Sequence, residues 1–238
     1  MKKILILAGF ALLTLSACQN KPGKMKEETI TILQTADIHA YLNPHNELFV
    51  ENGSIVFREA GGLAHIKTLV DGIRSQNQDA TILVDGGDLY QGSGESVRSL
   101  GSIFPPIVRA MDYDLLIPGN WEVVYGKDVM MNLMNDYQTN VIVANMYDEA
   151  SGEPLFPPYW VTEKKGVKIG FIAYNDPEIP IRQNPSYSEG MHFTPVEENL
   201  NELVSHLRTN EEVDFLILMA HMGISKQVTL ANNPAVGG

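Results

Sequence analysis

Four short stretches of the sequence carry side chains suited to holding metal or moving protons. Asp37 and His39 stand one residue apart. Asp88 follows Gly86 and Gly87, Asn120, Trp121 and Glu122 follow Gly119, and His221 precedes Met222 and Gly223. Carboxylate and amide oxygens together with imidazoles suit divalent ions such as Mn²⁺, Zn²⁺ or Fe. The chain has one cysteine, so neither an internal disulfide nor a thiolate zinc site can be built. Each stretch alone is a weak signal, because an isolated Asp-x-His or Gly-Asp is most often a turn or a helix cap. Their joint placement is what points to a site.

That placement depends on the elements around them. Residues 29–34 are rich in β-branched side chains and free of breakers, which predicts a strand; residues 81–84 are a short, wholly apolar run of the kind buried on both faces, and 115–117 follow as a further strand. Further strands are predicted at 140–144 and 214–219, with a hairpin of 159–162 and 168–174 around Lys165-Gly166. Helical spacing covers 61–73, with Leu63, Ile66, Leu69, Val70 and Ile73 on one face, and recurs at 103–111, 129–134 and 197–207. Residues 175–193 are rich in Pro, Asn, Ser and Gly and read as a long irregular loop, a kind that is usually functional. Strands alternating with helices predict an α/β fold with helices on both faces of a sheet. Asp37, Asp88, Asn120 and His221 each fall at or just past the carboxyl end of a predicted strand, where open α/β sheets place their ligands.

The ordered set Asp37-x-His39, Gly87-Asp88, Gly119-Asn120 and His221 resembles the calcineurin-type metallophosphoesterases. It is most similar to their secreted branch of 5′-nucleotidases and 2′,3′-cyclic phosphodiesterases, as are Gly61-Gly62, the Asp85–Asp88 turn and Gln91-Gly92-Ser93-Gly94. The resemblance implies an α/β fold of the layered type, a β-sandwich flanked by helices (α/β/β/α). It implies two divalent metal ions, with Asp37 and His39 on the first, Asp88 bridging both, and Asn120 and His221 on the second. It further implies hydrolysis of a small phosphorylated substrate, nucleotides among them, by a hydroxide held between the metals and attacking phosphorus in line. Asn120, Trp121 and Glu122 are the candidate catalytic residues.

Two departures from the family pattern matter. The usual third motif is Gly-Asn-His-Glu, and Trp121 takes the place of its histidine. An indole has only an N–H donor and supplies no proton in the working pH range. Trp121 therefore marks changed substrate chemistry, lost activity or a packed ring. A thiosulfohydrolase of bacterial sulfur oxidation resembles this chain in carrying Trp-Glu here, so hydrolysis of a sulfate ester or thiosulfonate is the same-fold alternative. The family also continues to a further strand ending in Gly-His-x-His and to a separate nucleoside-binding domain. No histidine follows His221, so the fold is expected to be incomplete at the C-terminus and the two-metal site formally incomplete. A non-catalytic ligand-binding lipoprotein is the alternative from another class.

The amino terminus carries its own signal. Lys2 and Lys3 precede an apolar run at 4–15 and then Ser16, Ala17 and Cys18, the architecture of a signal peptide too short to span a bilayer permanently. Leu15–Cys18 resembles a bacterial lipobox, with Cys18 as the lipid-bearing residue. The predicted organisation is a signal at 1–18, a polar tether at 19–28 and a catalytic domain at 29–238, lipid-anchored in the bacterial cell envelope and facing the periplasm or the exterior. The formal net charge of −12 argues against a nucleic-acid polymer as partner. Of the remaining histidines, His45 is expected in a solvated loop, His65 on a helix surface, His192 at the end of the long loop, and His206 near a helix C-terminus where its charge is favoured.

Overall fold

The computed structural model describes residues 29–234. The predicted signal, Cys18 and tether lie outside the described residues, as do residues 235–238. The chain forms β1 (Thr31–Thr35), β2 (His45–Glu51), β3 (Ser54–Ala60), α1 (Leu63–Gln76), β4 (Thr81–Asp85), α2 (Gly94–Ser99), α3 (Phe104–Met111), β5 (Leu115–Leu116), α4 (Lys127–Asp136), β6 (Asn140–Val141) and β7 (Met146–Asp148). It continues with β8 (Tyr159–Lys164), β9 (Val167–Asn175), α5 (Ile179–Arg182), β10 (Met191–Phe193), α6 (Leu200–Thr209), β11 (Phe215–His221) and α7 (Ile224–Ala231).

Two sheets form the centre. One is parallel, in the order β1-β4-β5-β6; the other has the order β11-β9-β8, with β9 parallel to β11 and antiparallel to β8. The strand period of two sends alternate side chains to opposite faces. Ile82, Val84, Leu115 and Ile117 of the first sheet therefore meet Ile169, Phe171, Ala173 and Met219 of the second in one buried layer. Leu83 and Leu116 face the other way, onto Val70 of α1, Val108 of α3 and Met130 of α4. Ile172 and Tyr174 likewise pack outward onto Leu200 and Val204 of α6 and Leu230 of α7. The result is the α/β/β/α sandwich that the family resemblance implies. The pattern alone had suggested helices on both faces of one sheet; instead each sheet carries helices on its outer face only.

Most predicted elements are present with shifted ends. α3 begins with Pro105 and Pro106 in its first turn, where a missing N–H costs nothing. Lys165 and Gly166 both have positive φ, the backbone of a tight hairpin turn. Leu69 is a correction: it is exposed, and Leu63 and Val70 form the buried face of α1. The strand expected over 140–144 pairs only at Asn140 and Val141. The long loop is also more ordered than expected, since it holds α5, a 3-10 turn at Pro185–Ser188 and β10. His192 is exposed on β10.

The sequence reading missed the β2–β3 hairpin, α2 and α7. The hairpin's signal is Asn52-Gly53, whose φ values of 52° and 77° close a two-residue turn. His45 consequently opens a strand instead of lying in a loop, with its Nε2 3.1 Å from Glu47. His65 is exposed on α1, and His206 on α6 meets the Tyr159 hydroxyl at 3.1 Å. No helix among the described residues is long and apolar enough to cross a membrane.

Candidate metal centre

The loop after β1 is tied to the loop after β4 by backbone hydrogen bonds. The N–H groups of Asp37, His39 and Ala40 donate to the carbonyls of Gly87, Asp88 and Leu89, each at 2.9 Å. Asp37, His39 and Asp88 all adopt positive φ, a conformation that non-glycine residues take at some cost and that concentrates at functional sites. The loops thereby converge three side chains. His39 Nε2 lies 3.7 Å from Asp37 Oδ1 and 3.6 Å from Asp88 Oδ2, and one ligand atom from each residue falls within 4.8 Å of the others.

The second half of the site comes from β5 and β11. His221 ends β11, and its Nε2 is 3.2 Å from Asp88 Oδ2 and 3.0 Å from Asn120 Oδ1. The ring is aimed by its other nitrogen, since Nδ1 is 2.7 Å from the Gly86 carbonyl. Asp88 Oδ2 thus stands between two imidazoles while its other oxygen accepts the Trp121 N–H at 2.8 Å. All five predicted ligand residues meet at one place. The donor set is all oxygen and nitrogen around a buried carboxylate, which fits Mn²⁺, Zn²⁺ or Fe.

Close backbone approach makes this packing possible. A Cβ at Gly119 would lie 2.3 Å from Asp88 Oδ1, so no other residue fits there without moving the carboxylate. Asn175, at the end of β9, donates from Nδ2 to the Gly119 carbonyl at 2.7 Å and is itself held by Asn145. The second sheet therefore props the loop that presents Asn120.

Glu122 is buried beneath the site. Its carboxylate accepts the N–H groups of Asp88 at 2.8 Å, Leu89 at 2.7 Å and Gly119 at 2.6 Å. It does not cap the helix that follows, where Gly126 holds the cap position. Both its oxygens are engaged and it faces no cleft, so Glu122 is a positioning residue and not a group that touches substrate. Burial and the nearby charge of Asp88 push its carboxyl up to about 8 against the pull of the N–H donors. Burial disfavours the His221 cation, but the Asp88 carboxylate outweighs it and holds the imidazole up to about 9. Asp85, also buried, is pushed up to about 7 by desolvation, although the Thr35 hydroxyl and the Gly87 N–H oppose the shift.

A cleft of about 300 Å³ opens over the cluster, lined by Asp37, Asn120 and His221 together with Asp176, Arg182 and Gln183. The last three belong to the long loop. Sequence reading marked that segment as functional from its length but singled out none of these three residues. Arg182 is fixed by Asp176 at 2.9 Å and Glu178 at 2.9 Å, and Lys226 of α7 joins the same two carboxylates at 3.2 and 3.1 Å. Trp121 is half-buried beside the cluster and joins it through its backbone.

Fold and site together define a class. Residues 30–236 match the calcineurin-like phosphoesterase family, and the chain belongs to it. It is 28% identical over 229 residues to a 5′-nucleotidase of Vibrio cholerae, an overlap of 92% of this chain and 39% of that protein. It is 32% identical over 208 residues to the protein UshA of Yersinia enterocolitica, covering 84% of this chain and 35% of UshA. The structure of the sulfate thiohydrolase SoxB from Thermus thermophilus has the same fold, with a TM-score of 0.78 at 20% identity over 86% of this chain and 46% of that one. The chain spans about two fifths of the length of the curated relatives it matches.

Proposed function

We propose that residues 29–238 form the metal-holding domain of a phosphoester hydrolase of the nucleotidase type, acting on small phosphorylated molecules such as nucleotides. The observation that carries this reading is Asp88 Oδ2 standing between His39 and His221 beneath an open cleft. Asp37 and His39 would hold one metal, Asn120 and His221 a second, and Asp88 both. Two divalent ions there would supply charge to draw in an anionic phosphate and activate water for in-line attack. The neutral Asn120 amide limits negative charge around the phosphate. Gly86 and Gln91 carbonyls fix the two imidazole rings through Nδ1, leaving each Nε2 to face the centre. Glu122 holds the backbone of Asp88 and its neighbour Leu89, and of Gly119 before Asn120, in place.

Cys18 and the tether would anchor this domain by lipid in a bacterial cell envelope. The test of the function is to strip the purified protein with a chelator, restore Mn²⁺, Zn²⁺ or Fe²⁺ singly, and follow phosphate release from adenosine monophosphate and nitrophenyl phosphate. Metal-dependent release supports the proposal; no release with any ion refutes it. Trp121 favours a second reading, hydrolysis of a sulfate ester or thiosulfonate, because no imidazole stands there to protonate a leaving alkoxide. Sulfate release in the same metal-restored protein, without phosphate release, would replace the first reading with the second.

A further inference from the structure

Arg182 and Gln183 line the cleft over the candidate metal centre, and neither belongs to the metal-holding set. Their place follows from where β9 ends. Asn175, its last residue, pairs in register with His221, so Asp176 opens the long loop beside the end of β11. Arg182 Nη1 is 2.9 Å from Oδ2 of the buried Asp176. Glu178 Oε2 accepts from Arg182 Nε at 3.0 Å and lies 2.9 Å from Nη2. A Cβ at Gly223, two residues past His221, would lie 3.9 Å from Arg182 Nη1, so the guanidinium rests against the loop that follows His221.

Both side chains keep unused hydrogen-bonding capacity. A guanidinium carries five N–H donors, and three are engaged here, which leaves two without a partner among the described residues. The Arg182 side chain is 51% exposed, whereas that of its partner Asp176 is 5% exposed. Gln183 Nε2 and Oε1 are both buried and have no hydrogen-bond partner. Buried polar groups are as a rule hydrogen-bonded, so an orphaned amide lining a cleft marks a place for a ligand group.

The guanidinium is also held still. Lys226 reaches the other oxygens of the same two carboxylates, at 3.2 and 3.1 Å. Two cations thus face two carboxylates, and the neutral quartet sets no net charge against an arriving anion. A fork fixed in this way loses little entropy when a ligand binds. Guanidinium N–H groups suit the oxygens of a carboxylate or a phosphate.

We infer that Arg182 and Gln183 form a subsite for the substrate's leaving group, which carries a hydroxyl and an anionic oxygen group of its own, a carboxylate or a second phosphate. Arg182 takes the anion. The Gln183 amide, at once donor and acceptor, takes the hydroxyl. The inference rests on the phosphoesterase reading above and adds a substrate class to it.

The experiment uses glycerol 3-phosphate, 3-phosphoglycerate and glycerol 1,3-bisphosphate, which differ only at the carbon bearing a hydroxyl, a carboxylate or a further phosphate. Each is tested on the full, metal-loaded chain as a competitor of nitrophenyl phosphate hydrolysis and, by calorimetry, as a ligand. Hydrogen bonds to charged groups are worth roughly 10- to 150-fold in affinity, and the anionic compounds should bind tighter than glycerol 3-phosphate by that factor. Arg182→Gln should abolish the advantage, and Arg182→Lys, which keeps the charge without the fork, should retain part of it. Gln183→Met should weaken all three compounds alike without lowering the urea midpoint, because it removes a buried amide that the fold does not use. An advantage for one anion only supports the inference and names the anion. No advantage for either in the natural chain, or equal weakening of all three by Arg182→Gln, would overturn it, the second being what a purely structural arginine gives. If the natural chain releases no phosphate from nitrophenyl phosphate, the phosphoesterase reading falls, and calorimetry alone decides the subsite.

Discussion

Asp88 and Glu122 lock one another through the backbone. The Glu122 carboxylate accepts the Asp88 N–H at 2.8 Å, and Asp88 Oδ1 accepts the N–H of Trp121, the residue before Glu122, at 2.8 Å. The reciprocal pair joins the loop after β4 to the loop after β5, so neither carboxylate moves without the other.

Glu122→Gln tests this lock. One amide oxygen replaces two carboxylate oxygens, so at least one of three buried N–H groups loses its partner, at about 1–3 kcal/mol each. The urea midpoint should fall accordingly, and metal content should fall with it. A variant as stable and as metal-rich as the natural chain would show that the lock is not needed.

Asp88 should be the most damaging single ligand to remove, because it alone faces both imidazoles. Metal per chain, measured by elemental analysis, should fall further in Asp88→Asn than in His39→Ala or Asn120→Ala. The loss in affinity should exceed the roughly 10- to 100-fold typical of outer hydrogen-bond partners. Equal and near-full occupancy in all three variants would place the metals elsewhere.

Asp85 gives a pH signature. Its carboxyl is raised in the fold from 3.8 to about 7, so between those values the folded chain holds more protons than the unfolded one. Stability contributed by the neutral form is full below about pH 4 and is lost as pH rises toward 7, by at most about 4 kcal/mol. Asp85→Asn keeps an oxygen for the Gly87 N–H and should flatten this part of the pH–stability curve, followed by urea denaturation at several pH values. An unchanged slope would show that Asp85 is ionised in the fold.

Trp121 predicts a dependence on the leaving group. Esters that release stable anions, such as nitrophenyl phosphates, should be turned over well, and alkyl phosphates poorly. Trp121→His should raise alkyl ester turnover, by up to the roughly 10²–10⁴-fold that a general acid contributes. A rate series against leaving-group pKa for both variants checks this. Equal shallow slopes would mean that another residue donates the proton.

The anchor is tested by cell fractionation. A lipidated Cys18 should hold the protein with membranes, and Cys18→Ser should release it to the soluble fraction, because stable attachment needs the acyl chains. Membrane association unchanged in the variant would remove the lipoprotein reading.

Much of the centre was legible in the sequence because strand ends are written locally. The residues Asp37, Asp88, Asn120 and His221 each lie at or just past a short run whose β-branched or apolar character identifies a strand. Asp37, Asp88 and Asn120 follow parallel strands of one sheet, and His221 ends β11 of the sheet packed against it. The Asn52-Gly53 turn was equally local, yet the hairpin it closes was missed, since Leu48, Val50, Ile55 and Phe57 remain exposed and give no clean alternation of apolar and polar faces.

What the sequence determined by itself was therefore the set of metal-competent side chains and their order along the strands. Tertiary structure alone decided how the strands divide into two sheets, because a strand buried on both faces reads the same whether a helix or another sheet covers it. It also decided the role of Glu122, whose three partners lie on loops that no local pattern joins, and the presence of Arg182 and Gln183 in the cleft over the cluster. The physical reason is common to all of these. Propensity and periodicity act over a few residues, whereas a buried carboxylate finds its N–H donors wherever packing brings two strand ends together.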